Sequence, residues 1–160
     1  MKNVIVTVII SVFIYSLIRY FFKGSKKRVV HPRYININEL GPVIEMLFEN
    51  KLEFDFFGIT SNGIDCVYFM LEDSVINIDF EVMSEEQIKY VDKYKVYAKS
   101  KGYELNETTY GNKPNYSGLK DAPVYKILIN ADKTLAERVG KEIQNEVFGN
   151  DLNTGFEIVP

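Results

Sequence analysis

The chain has 160 residues, with 22 acidic and 19 basic groups, one cysteine, one histidine and no tryptophan. A net charge of −3 argues against a generally basic nucleic-acid binder. A single cysteine rules out an internal disulfide framework, and a single histidine rules out a histidine-built metal centre within one chain.

The charge is unevenly spread. Residues 1–28 hold six of the 19 basic groups and none of the 22 acidic ones, which leaves 13 against 22, a net of −9, on residues 29–160. Residues 4–18 carry no charge at all. Arg19, Tyr20, Phe21 and Phe22 follow, and then Lys23, Lys26, Lys27 and Arg28. About 20 residues cross a hydrocarbon core, and residues 4–22 approach that length if Arg19 snorkels to the headgroups. Aromatic residues at the edge and cations beyond it fit the interface. No small-residue cleavage pattern follows the apolar run, so the expectation is an uncleaved anchor over residues 1–28. Arg19, Lys23, Lys26, Lys27 and Arg28 are then the lipid-headgroup contacts. The heavier basic flank lies after the span, which predicts a single-pass protein of the cell membrane with its domain in the cytoplasm.

Residues 29–36 read as a linker. His31 precedes Pro32 and is held extended. A linker histidine lacks the orienting partner and pocket that catalysis needs. Residues 37–160 read as one domain, large enough for a core of its own.

The spacing of Leu40, Val43, Ile44, Leu47 and Phe48 predicts a helix over 38–50, with Pro42 tolerated in its first turn. Asn62-Gly63 sits between aromatic-rich runs at 53–59 and 64–71, a hairpin signal because both turn positions tolerate positive φ. A strand over 75–82 alternates Ile76, Ile78, Phe80 and Val82 with Asn77, Asp79 and Glu81. That pattern predicts one core face and one wet face, on which Asp79→Lys and Glu81→Lys are expected to be tolerated. A helix over 84–101 is bounded by a Ser84/Gln87 capping pair and Gly102. Strands at 103–110 and 123–130 flank a twelve-residue connection, 111–122, long for such a link and holding Tyr116. A helix over 132–148 begins at Asp132 and ends at Gly149, and a strand closes the chain at 155–159.

These elements predict an α+β fold, mostly antiparallel, with helices on one face of the sheet. From residue 75 onward the order is βαββαβ, that of a ferredoxin-like split unit extended by an N-terminal helix and hairpin.

No catalytic motif, phosphate loop or calcium loop is present, and no metal or cofactor is expected. Cys66, flanked by Asp65 and Val67, lacks the cationic surroundings of a reactive thiol. Asn106-Glu107-Thr108 and Asn115-Tyr116-Ser117 match glycosylation acceptors, which carry no meaning in a cytoplasmic domain. The candidate partner-binding residues are Asp79 and Glu81, as an acidic strand face; Tyr90, Tyr94 and Tyr97, spaced along one helix; and Tyr116 in the long loop. An acidic domain calls for a basic protein partner and repels nucleic acid. The expected function is a membrane-tethered protein-interaction module, in one concrete form a bacterial immunity-type protein. The alternatives are a structural subunit of a membrane complex and a small carboxylate enzyme using a divalent cation.

Overall fold

The computed structural model describes residues 33–112 and 121–160, and these form an antiparallel seven-stranded sheet with three helices. The anchor, its basic collar, His31 and Tyr116 lie outside the described residues. Among the described residues no helix is long and apolar enough to cross a membrane.

Tyr34–Asn36, expected as linker, forms the edge strand β1. Asn36 then opens a capping box: its Oδ1 accepts from the Asn38 N–H at 3.1 Å, and Glu39 accepts from the Asn36 N–H at 2.8 Å. A 3₁₀ turn, Ile37–Glu39, leads into α1, Leu40–Phe48, with Pro42 in its first turn. Strands β2, Phe56–Thr60, β3, Val67–Glu72, and β4, Val75–Glu81, follow as a meander. Helix α2, Glu85–Lys101, starts at the Ser84/Gln87 box and stops at Gly102, whose φ of 74° no Cβ-bearing residue adopts cheaply. β5, Glu104–Thr109, and β6, Pro123–Ala131, pair with each other. α3, Lys133–Glu142, is capped by Asp132 and runs on through a π turn, Ile143–Val147, before β7, Gly155–Val159.

The strand order is β1-β7-β2-β3-β4-β6-β5. A four-stranded split βαβ sheet would set β7 directly beside β4. Here the β2–β3 hairpin is inserted between them, in the body of the sheet and not as an extension of it. Two strands can be inserted without disturbing the alternation, because an even number preserves every neighbour's direction.

All three helices pack on one face. Phe57, Phe69, Ile78, Phe80, Ile127 and Phe156 meet Leu40, Ile44, Tyr94, Val139 and Ile143 there. Gly140 sets the depth of α3: a Cβ at this position would lie 2.5 Å from Phe69 Cζ and 3.0 Å from Leu40 Cδ2. The chain therefore closes around Phe69 only because α3 has no side chain at that point.

The hairpin expected around Asn62-Gly63 forms between β2 and β3, through a six-residue loop, residues 61–66, whose side chains bond its own N–H groups. A tight two-residue turn joins β3 to β4 at Asp73 and Ser74, with φ of 48° and 70°. One expectation, for β4, is corrected. Asn77, Asp79 and Glu81 do face away from the helices, but they are 4%, 0% and 5% exposed. β4 is interior to the sheet, and Tyr68 on β3 and Lys126 on β6 stand in register on either side of Asp79. Alternation reveals that a strand has two faces. It does not reveal which of them meets water.

Candidate functional site

The sheet face opposite the helices gathers most of the chemistry among the described residues. Cross-strand registers set Val159, Gly58, Tyr68, Asp79, Lys126 and Asn106 in one row across five adjacent strand pairs. Gly58 lacks a side chain because Val159 and Tyr68 occupy its place: a Cβ would lie 2.7 Å from Val159 Cγ2 and 2.8 Å from the Tyr68 ring. The Lys126 ammonium lies 4.0 Å from Asp79 Oδ1 and also pairs with Glu72, which in turn accepts from the Asn77 amide at 3.0 Å. Continuing the β3–β4 register by two residues beyond Tyr68 and Asp79 brings Cys66 opposite Glu81.

This cluster holds charge but is not a nucleophilic centre. Burial is the main cause pushing the Cys66 thiol up to about 12, and the neighbouring Glu81 and Asp65 add to it against a hydrogen bond from Tyr68. Burial likewise raises Tyr68, so both stay protonated at neutral pH. Among the described residues no group of three or more histidine, cysteine or carboxylate side chains is placed to hold a metal ion.

An aromatic groove opens at the margin of the same face. Phe54 stacks on Phe56 with ring centroids 5.3 Å apart, and Phe56 meets Tyr68 edge-on at 6.2 Å. A cavity of about 240 Å³ is lined by Leu52, Glu53, Phe54, Phe56, Phe57 and Val159. Phe54 remains 46% exposed. A groove of this kind is shaped for an apolar side chain.

The tyrosines of α2 part company. Tyr94 is fully buried, stacks near Phe80 and donates to the Ile78 carbonyl at 3.0 Å. Tyr97 is buried too and donates to Glu142 Oε2 at 2.9 Å. Both therefore belong to the helix–sheet core and offer no contact surface. The i, i+4, i+7 spacing was right, but its stripe faces inward. Tyr90 is half-buried against Phe148, with the ammonium groups of Lys89 and Lys93 over its ring at 5.0 and 5.8 Å.

The sequence reading missed Asp65. Its Oδ1 accepts from the Thr60 hydroxyl at 2.7 Å and from the Ser61 and Asn62 N–H groups at 2.9 and 3.3 Å. Its Oδ2 accepts from the Ser61 hydroxyl and, at 2.6 Å, from the Asn150 amide. Gln144 in the π turn donates to the Asp65 carbonyl at 3.0 Å, and Gln87 at the head of α2 donates to the Ile64 carbonyl at 3.1 Å. One loop thus ties the hairpin to α2, α3 and the segment before β7. Burial opposes ionisation of Asp65, but the hydroxyl and amide donors outweigh it and hold the pKa below the usual carboxylate value. The available signal was the run Thr60-Ser61-Asn62-Gly63, rich in side chains that bond local backbone.

Comparison with known protein families, characterised proteins and solved structures finds no match to this chain.

Proposed function

We propose that this protein is a membrane-tethered interaction module whose domain docks a basic protein partner, in the manner of an immunity-type protein that blocks a toxin at the bilayer. The observation that carries this reading is the charge-free run at 4–18, with its aromatic edge and basic collar, followed by residues 29–160 of net charge −9. The aromatic groove supports it, because an exposed phenylalanine over an apolar cavity suits a protein contact better than it suits water. The partner surface moves accordingly, from Asp79, Glu81, Tyr94 and Tyr97 to Phe54, Phe56 and Glu53.

The test has two arms. Alkaline carbonate washing of membranes bearing the full chain should leave it in the pellet, and release would end the tethering claim. A photo-reactive phenylalanine analogue at position 54 should capture a basic protein. The same probe at Lys99, on the outer side of α2, should not. Equal capture at both positions would refute the groove as the docking surface.

A further inference from the structure

Helix α2 departs in charge from the domain that carries it. Its first turn holds Glu85 and Glu86, but from Ile88 to Lys101 it has five lysines against Asp92 alone. Residues 29–160 as a whole have 13 basic groups against 22 acidic ones. Two of the five lysines are engaged: Lys101 with Glu142 and Glu146, at 2.9 and 3.0 Å, and Lys95 with Glu107 at 2.7 Å. Lys89, Lys93 and Lys99 are exposed and form no ion pair among the described residues. Ile88 and Val96 stand among them, 59% and 66% exposed. At about 100° per residue, these five side chains fall within an arc of about 140° on the side away from the sheet. Single exposed apolar residues are ordinary, but two of them among outward lysines match a helix lying at the headgroup level of a bilayer.

The topology adds a direction. β1 and β5 are the first and last strands of a seven-stranded antiparallel sheet, so they run the same way. α2 leads into β5, so its lysine-rich end lies at the end of the sheet where Arg33 enters β1.

We propose that the outer face of α2 rests on the anionic headgroups of a bilayer, a contact that presupposes the tether proposed above. Ile88 and Val96 enter the headgroup layer, and Lys89, Lys93 and Lys99 meet lipid phosphates. Three lysines and two aliphatic side chains hold a free domain weakly. A tether turns the contact into an intramolecular one at an effective concentration in the millimolar range, where a weak contact is populated. The other helices do not share it. The outer side of α1 carries Glu39, Glu45 and Glu49, all exposed, which an anionic surface repels, so the domain leans on α2 alone. The helix-free face and its aromatic groove then point away from the lipid and stay open to a partner.

The test uses the full chain with Cys66→Ser and Val96→Cys, labelled with an environment-sensitive fluorophore and placed in lipid nanodiscs. In phosphatidylglycerol discs the emission should shift to the blue, and nitroxide-headgroup lipids should quench it. Both effects should be lost in phosphatidylcholine discs, and lost in phosphatidylglycerol when Lys89→Glu, Lys93→Glu and Lys99→Glu are combined. The same label at Asn106→Cys, exposed on the opposite sheet face, should show neither. Equal spectra in the two lipids, or at the two positions, would overturn the proposal. Discs that fail to retain the chain would end the tether and this contact with it. Retention without the shift would end this contact alone.

Discussion

Asp65→Asn is the most informative single substitution in this fold. The carboxylate accepts five hydrogen bonds, two from hydroxyls, two from backbone N–H groups and one from the Asn150 amide. Asparagine keeps the shape but replaces one accepting oxygen with a donating NH₂, which would face donors. Hydrogen bonds to a charged group contribute about 1.5–3 kcal/mol each, and breaking a buried network costs about 3–5 kcal/mol in total, since the losses within one network do not add. A loss of about 3 kcal/mol in a domain of this size corresponds to roughly 10 °C in the melting midpoint. The sign of the pH dependence follows from the lowered folded-state pKa. The stabilisation is fully present above the unfolded value of about 3.9 and is lost as pH falls through the folded value. Thermal melts of the full chain and of Asp65→Asn in detergent should therefore differ by a constant gap from pH 5 to pH 8. The gap should narrow below about pH 4, where the native carboxyl takes up its proton. A variant that melts within a degree of the parent, or a gap that stays flat down to pH 2, would refute the role given to Asp65.

Other outcomes follow from single contacts. Gly140→Ala should cost about 1–3 kcal/mol in urea melts, despite alanine's better helix propensity, because its methyl meets Phe69 at 2.5 Å; Phe69→Leu should recover part of the loss. Tyr94→Phe should lose about 1 kcal/mol, since the buried hydrogen bond from its hydroxyl to the Ile78 carbonyl is lost. Asp79→Lys should lose about 3–5 kcal/mol, because it brings a second ammonium beside Lys126 in a closed site; tolerance of the change would restore the wet-face expectation. Cys66 should alkylate far more slowly than a free thiol at pH 8 and react at the ordinary rate in urea, since its pKa near 12 leaves almost no thiolate in the folded chain.

The elements most legible in the sequence were those whose signals are local. Ser84 with Gln87, Gly102, and Asp132 with Gly149 marked both ends of α2 and α3, because a cap is satisfied within a few residues of itself. The order from β4 onward was legible for the same reason. What was not legible was decided by distant residues. Asn62-Gly63 marked the β2–β3 hairpin but not its six-residue loop, in which the Asp65 carboxylate accepts from Asn150 and its carbonyl from Gln144, more than 75 residues away. Tyr94 and Tyr97 read as surface only because nothing local says which way a tyrosine stripe faces; Ile78 and Glu142 settle it.

The acidic residues show how far pattern alone carries. Asp79 and Glu81 alternate with Ile78 and Phe80 as a half-wet strand should, and on an edge strand they would be wet. The insertion of β2–β3 beside β4, with β6 on its other side, turns an expected outer surface into the middle of a seven-stranded sheet.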